Sequence, residues 1–249
     1  MNKKSIDNRK FVTAAMLGAI TIVLGLTPLG LIPLGMINAT TMHIPVIIAA
    51  IVEGPIVGSL VGLIFGVFSL LNALLRNPSP VSFVFFNPLI SIVPRILIAI
   101  TSYYSYVAIK KASNKNLKTL AQILWVLIIL ALGYLLYKNI SENKSAINIV
   151  LVIILIGICL GLLIYSRKSS EVDFPIAIGA FVGSMTNTVL VLGGIYLIYA
   201  KQYVETLNIP MENAKSAILG VSITSGIPEA ILSVILCTAV IKALEKSRR

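Results

Sequence analysis

Residues 38–76 read NATTMHIPVIIAAIVEGPIVGSLVGLIFGVFSLLNALLR, two apolar runs that meet at Glu53-Gly54-Pro55. Glu53 is the one charge between His43 and Arg76, and a Gly-Pro pair ends helices, so the stretch predicts a helical hairpin reversing at residue 54. The second arm carries Gly54, Gly58, Gly62 and Gly66, a four-residue spacing that lines every glycine on one helix face. Such a face is first of all a packing seam for a neighbouring backbone, with a hinge or a ligand-facing wall as the alternative. Polar residues gather at the open end of the hairpin: Asn38, Thr40, Thr41 and His43 before it, then Ser69, Asn72, Arg76 and Asn77 after it. Antiparallel arms place both clusters on one side of a membrane.

The rest of the chain agrees with a lipid setting. Of 249 residues 57% are hydrophobic and 12% charged, and the mean hydropathy is +0.98, outside the range of soluble domains. Apolar runs predict helices over 11–29, 42–53, 56–75, 88–109, 120–138, 146–166, 175–200 and 217–242, the second short for a full span. They leave no room for an ATPase or kinase domain, so any driving force comes from a partner or a gradient. The net charge of +11 would point to nucleic acid in a soluble chain. Here the basic residues sit at the ends of apolar runs and set topology instead. With the N-terminus inside, 14 Lys and Arg fall on inner segments (Lys3, Lys4, Arg9 and Lys10; Lys110, Lys111, Lys115 and Lys118; Arg167 and Lys168; Lys242, Lys246, Arg248 and Arg249). Only 5 fall outside: Arg76, Lys138, Lys144, Lys201 and Lys215. That asymmetry predicts eight crossings with both termini cytoplasmic. The first apolar run lacks a small-residue cleavage site and reads as a helix rather than a signal peptide. Cys159 and Cys237 lie alone in apolar runs and indicate neither a disulfide nor a metal site.

The outer connections would be 31–38, 76–87 (RNPSPVSFVFFN) and 201–216 (KQYVETLNIPMENAKS). The last two are long, and the aromatics and prolines of 76–87 suit an ordered lid over a cavity, with an interfacial aromatic anchor as the alternative. Asn139-Ile140-Ser141 and Asn143-Lys144-Ser145 match the glycosylation pattern by chance in a short loop.

Polar groups inside lipid-spanning helices are costly and turn toward protein or water. Arg95, Asn187 and Glu229 stand out. At 1.5 Å per residue, Arg95 lies roughly 12 Å from the outer helix end, and Asn187 and Glu229 roughly 18 to 20 Å, compatible with one outward cavity. Arg95 follows Pro94 and Glu229 follows Pro228; each proline frees a carbonyl four residues back. Two readings stand side by side. Either Arg95 and Glu229 neutralise each other, or the Arg95 fork takes a ligand carboxylate while Glu229 and Asn187 meet its hydroxyl or amide groups. Asn187, within Gly183-Ser184-Met185-Thr186-Asn187-Thr188, equally suits bonding between helices. His43 suits a cap as well as a ligand contact. No HExxH, GxxxxGK[ST], GxSxG or paired-cysteine motif occurs, and the chain has a single histidine, so no catalytic residues are assigned and an enzyme is disfavoured.

Taken together, several motifs resemble the substrate-binding (S) components of energy-coupling factor (ECF) vitamin transporters. They are Ala14-Ala15-Met16-Leu17-Gly18-Ala19, Thr41-Met42-His43-Ile44-Pro45, Glu53-Gly54-Pro55, Phe86-Asn87-Pro88 with Pro94-Arg95, the run Gly183 to Thr188, and Gly226-Ile227-Pro228-Glu229-Ala230. Their order is similar to the pantothenate-type branch. The resemblance implies an all-α polytopic membrane protein forming a single domain, 1–249. Its six-helix core would comprise helices 1–4 over 11–110 and helices 5–6 over 175–243, with an inserted transmembrane hairpin at 120–166 that keeps the topology even. It implies capture of a vitamin from outside by a plasma-membrane subunit with no ATPase of its own, no cofactor and no metal. The partners it implies are a transmembrane coupling subunit, docking on Ala15 and Ala19, and two ATPase subunits. The substrate contacts expected are Arg95, Asn187, Glu229, Asn72, His43, Asn87 and Thr186. Pantothenate, a carboxylate with hydroxyls and an amide, fits Arg95. Folate, riboflavin or a pyridoxine precursor are alternatives, as are an autonomous secondary carrier and an intramembrane enzyme.

Overall fold

The computed structural model describes residues 8–33, 38–76, 79–112, 117–142, 146–168 and 173–247. The expectations placed on Lys3, Lys4, Asn77, Lys115, Lys144, Arg248 and Arg249, and on the Asn143-Lys144-Ser145 pattern, lie outside the described residues. The order of elements is α1 (Asn8–Leu26), β1 (Leu31–Pro33), β2 (Asn38–Thr40), α2 (Ile44–Glu53), α3 (Pro55–Arg76), a 3-10 turn (Ser82–Phe86), α4 (Pro88–Ser91), α5 (Val93–Lys111), α6 (Leu117–Ser141), α7 (Ala146–Lys168), α8 (Phe174–Thr206), α9 (Ala214–Val221), a π turn (Ser222–Gly226) and α10 (Ile227–Ser247). Among the described residues six helical segments are long and apolar enough to cross a membrane; α1 and α2 are shorter apolar helices. The protein is a helical polytopic membrane protein.

The hairpin of 38–76 forms as its chemistry demands. Gly54 closes α2 at φ +100°, a conformation that excludes a side chain, and Pro55 opens α3 where its missing N–H costs nothing. The glycine ladder divides its work. A Cβ on Gly58 would strike Ala50 of α2, whereas one on Gly62 would fall on the Arg95 carbonyl of α5 and one on Gly66 on the backbone of Ile92, the residue that joins α4 to α5. Gly54 makes the turn, and the three above it form a seam against two helices. At ten residues α2 is about 15 Å long, half the hydrocarbon thickness. It survives because it is enclosed: Val46, Ile47, Ala49 and Ala50 are wholly buried, and α1, α3, α5, α8 and α10 pack around it.

Three expected connections are more structured than their composition suggests. Residues 31–33 and 38–40 pair as an antiparallel ribbon, Leu31 opposite Thr40 and Pro33 opposite Asn38. The stretch expected to be a loop from 201 is helix as far as Thr206. Lys201 and Glu205 pair along the surface, Tyr203 and Val204 are buried, and Asn208, at φ +55°, takes the left-handed conformation that ends the helix. The single helix expected over 217–242 is instead α9, a π turn and α10, broken where Gly226 and Pro228 interrupt the ladder. The span expected over 88–109 divides likewise into α4 and α5 around Ile92 and Pro94.

α6 and α7 pack chiefly on each other through Trp125, Ile128 and Leu132 against Val152, Leu155, Cys159 and Leu162, and touch α8 and α10 at their edge. Asn139 is buried at the end of α6, which rules its side chain out as a surface glycan acceptor. At the end of the bundle near Gly54, the buried Asp173 carboxylate meets Lys242 Nζ at 3.1 Å, and Glu245 lies 3.2 Å from the same ammonium. Burial pushes the Asp173 carboxyl above its ordinary range, against the opposing pull of Lys242.

Candidate functional site

The site is built on the break between α4 and α5. Pro94 has no N–H to offer the Ile90 carbonyl, and Arg95, the next residue, turns its guanidinium back and donates from Nη1 to that oxygen. The lesion in the helix and the charge are thus mutually satisfying. Phe65 of α3 and Phe85 of the 3-10 turn flank the guanidinium, with its carbon 5.2 and 5.3 Å from their ring centroids. Arg95 is 5% exposed, and its Nε has no hydrogen-bond partner. It makes no ion pair with Glu229; the salt bridges among the described residues lie elsewhere. Mutual neutralisation of these two residues is therefore not the arrangement found.

Arg95 borders two chambers. The first, about 230 Å³, lies between α3, α5, α8, the π turn and α10, and brings Arg95, Asn187 and Glu229 to one space with Thr40, Thr188 and Ser225. Glu229 follows the π turn and Pro228, and its Oε1 accepts from the Thr40 N–H at 3.2 Å, tying the ribbon to α10. Close approach of the π turn to α8 depends on Gly226, where a Cβ would collide with Thr188. The Asn187 Oδ1 is buried without a partner. One wall therefore donates, through Arg95, and the other accepts, through Glu229 and Asn187. That pattern matches a small molecule with an anionic group at one end and O–H or N–H groups at the other. The second chamber, about 260 Å³, lies between α3 and the segment 79–85 and includes Asn72, Ser79 and Ser82. Met42, Ser69, Phe85 and Arg95 line both.

Three expected contacts do not reach either chamber, each because a local partner claims it. His43 is buried with Nε2 2.6 Å from Ser233 Oγ, and that hydroxyl donates to the Glu229 carbonyl at 2.8 Å. It braces the backbone beneath Glu229 rather than facing the space. Thr186 Oγ1 lies 2.9 Å from Thr101 Oγ1 and joins α8 to α5. Asn87 caps α4, its Oδ1 accepting from the Leu89 N–H at 3.0 Å. Sequence reasoning in turn passed over Phe65, Phe85 and Ser225, and it placed Ser69 in the polar cluster of the hairpin and Thr188 in the run from Gly183 without giving either a contact. Phe85 had a signal, the aromatic run of 83–86 ahead of Arg95; Phe65 and Ser225 had none. Ala15 and Ala19 lie on the exposed face of α1 with Phe11, Val12 and Met16. A larger cavity, about 470 Å³, sits at the opposite end of the bundle between Glu53, Tyr106, Lys110 and Glu245.

Comparison with known proteins bears on this arrangement. The family model for the substrate-specific component of ECF transporters matches the chain in two segments, residues 9–155 and 127–241. The chain is 27% identical over 226 residues to the pantothenic acid transporter PanT of Lactococcus lactis subsp. cremoris strain MG1363, covering 85% of this chain and 80% of that protein. With nearly the whole described bundle matched by the family model, the chain belongs to the substrate-specific components of ECF transporters, multi-pass proteins of the plasma membrane.

Proposed function

We propose that the chain is the substrate-binding subunit of an ATP-driven importer and that it captures pantothenate, or a similar small carboxylate vitamin, from outside the cell. The observation that carries the reading is the first chamber. A desolvated guanidinium held by Ile90, Phe65 and Phe85 faces, across about 230 Å³, the acceptors Asn187 and Glu229. Pantothenate has a carboxylate for the former and hydroxyl and amide donors for the latter. The likeness to a pantothenic acid transporter supports the same choice.

In this reading the Arg95 end of the bundle faces outward and both termini face the cytoplasm, as the distribution of Lys and Arg favours. α1 and α2 complete eight crossings with the six long helices. In the same reading the α6–α7 hairpin, packed chiefly on itself, is an insertion into a six-helix core. Binding energy alone moves nothing across a membrane. Release inward is driven by a coupling subunit, gripping the small-residue face of α1 at Ala15 and Ala19, and by two ATPase subunits. Uptake of labelled pantothenate by cells lacking their own transporter tests the reading. Uptake should require this chain together with the coupling and ATPase subunits. Accumulation by the chain alone, or none with the full set, contradicts it.

A further inference from the structure

On the outer side of α3 and α5, away from the Arg95 chambers, the apolar surface is concave. Ile56, Ser59 and Leu63 recur at i, i+3 and i+7 along α3, and Ile96, Ile100 and Tyr104 at i, i+4 and i+8 along α5, so each set forms one ridge. Between the ridges lies a groove of about 470 Å³. Its cause is local. Gly62, beside Leu63, lets the α3 backbone come up to the Arg95 carbonyl, and Ser59 has too short a side chain to fill the space that the larger residues flank. Ile56 is 69% exposed and Tyr104 61%, so the bundle leaves the groove uncovered.

An apolar surface in a membrane needs no special occupant, but the length and surroundings of this one set it apart. The groove runs from Pro55 to Leu63 on one helix and from Tyr104 back to Ile96 on the other, about 12 Å along each. The hydrocarbon of one leaflet is about 15 Å deep. The groove therefore starts at a membrane surface, where α3 begins, and ends near the midplane, the span of one acyl layer. At that surface α5 continues past Tyr104 to Lys111. One heptad returns a residue to nearly the same face, so Lys111 stands in line with Tyr104, about 10 Å beyond it. Lys111 is exposed and makes no ion pair among the described residues. Its neighbour Lys110 serves the other flank of α5, where it bonds Tyr106 Oη at 2.8 Å and lines the larger cavity with Glu53 and Glu245. The lining of the groove itself carries no charge. An uncharged channel of acyl length, an exposed phenol at its mouth and a cation in line above it match a phospholipid with an anionic head.

We infer that the α3–α5 groove binds one anionic phospholipid of the leaflet on the Lys111 side, with an acyl chain between the two ridges and the phosphate on Lys111. A lysine that only set topology would need no groove beneath it, and a groove that only met bulk lipid would need no cation aligned with it. The site is separate from the Arg95 chambers, and it stands whichever vitamin the chain carries and whichever way the bundle faces.

The full chain carrying Trp125→Phe and Leu63→Trp, so that its one tryptophan lies in the groove, is reconstituted in liposomes of equal parts phosphatidylcholine and phosphatidylglycerol. The acyl chains of one lipid or the other are brominated. Bromine quenches an indole only at contact, so the two quenching levels give the relative affinity of the lipids at that position. A second reporter, Trp125→Phe with Ile153→Trp, places the indole on the exposed face of α7 and reads ordinary lipid contact. Phosphatidylglycerol should be favoured about fivefold in the groove, the worth of one lysine near an anionic headgroup, and not at position 153. Lys111→Gln, an exposed change that spares the packing, should abolish the preference, and Lys111→Arg should retain it. Equal quenching by both lipids at Leu63→Trp, the same preference at both reporters, or a preference that survives Lys111→Gln overturns the site. Quenching by neither lipid at Leu63→Trp, with normal quenching at Ile153→Trp, overturns it too, because a second copy of the chain then covers the groove.

Discussion

Replacing Arg95 by alanine separates binding from folding more cleanly than any other change. In the bound state the variant would leave a ligand carboxylate desolvated without its partner, a loss of about 2–5 kcal/mol, which raises Kd from about 30-fold to several thousand-fold. In the ligand-free fold two effects oppose each other. The Ile90 carbonyl loses its donor at a cost of about 1–3 kcal/mol, and the stacking on Phe65 and Phe85 goes with it. Against this, the variant no longer buries a charge that has no carboxylate within 4 Å, and that desolvation penalty is of several kcal/mol. The thermal midpoint should therefore shift little while affinity collapses. Arg95→Lys keeps the charge but loses the planar fork and should fall between the two. Calorimetric titration of purified protein, with a melt of each variant, makes the comparison. Affinity within about threefold of the parent in a well-folded Arg95→Ala protein would refute the anion-clamp argument.

Other predictions follow from the packing. Gly62→Leu drives a side chain into the Arg95 carbonyl, and although leucine is the better helix former by up to about 1 kcal/mol, overpacking costs about 1–3 kcal/mol. The melt should fall and ligand affinity with it, because α3 and α5 are forced apart at Arg95. Lys242→Met strands the buried Asp173 carboxylate and should cost about 3–5 kcal/mol at neutral pH. Since burial raises the Asp173 carboxyl and Lys242 opposes that rise, the variant raises it further. Stability linked to its protonated form is complete below the ordinary carboxylate range and is lost as pH rises through the raised value, so the melting deficit should shrink on acidification. A deficit that is constant with pH would remove Asp173 from the explanation. Ala15→Leu with Ala19→Leu, on the exposed face of α1, should abolish uptake in the complete importer and leave binding to the isolated chain within about twofold. Equal loss of both would detach those residues from the docking face.

What could be read from residues alone is what one helix dictates to itself. The reversal at Gly54-Pro55 needs no tertiary information, since one residue requires a left-handed backbone and the next lacks a donor. The carbonyl freed by Pro94 is likewise a local consequence, and so it was visible; that Arg95 itself would take it was not, because that depends on the rotamer of a long side chain. Asn87 was claimed by the first turn of the helix it caps, but for His43 and Thr186 a neighbouring helix decided. His43 and Thr186 carry the right chemistry for a ligand, but Ser233 lies 190 residues away from one and Thr101 lies 85 away from the other, and each reaches its partner first. The extension of α8 to Thr206 depends on buried Tyr203 and Val204, whose burial is set by the segment around Ile209 and Ala214 and not by their own sequence. The role of Phe85 shows the same limit. Its aromatic run was legible as a lid, but its place against the Arg95 guanidinium exists only once α5 and the 3-10 turn are assembled.

The central claim is that this chain alone, without coupling or ATPase subunits, holds a small carboxylate vitamin in the chamber beside Arg95. Equilibrium binding of radiolabelled pantothenate to the purified chain, challenged by unlabelled pantothenate, riboflavin, folate and pyridoxine, measures it directly. Saturable binding of one ligand per chain, displaced by pantothenate and not by the other vitamins, is the result expected. Binding that saturates equally with Arg95→Ala, or displacement by every vitamin alike, would contradict the account.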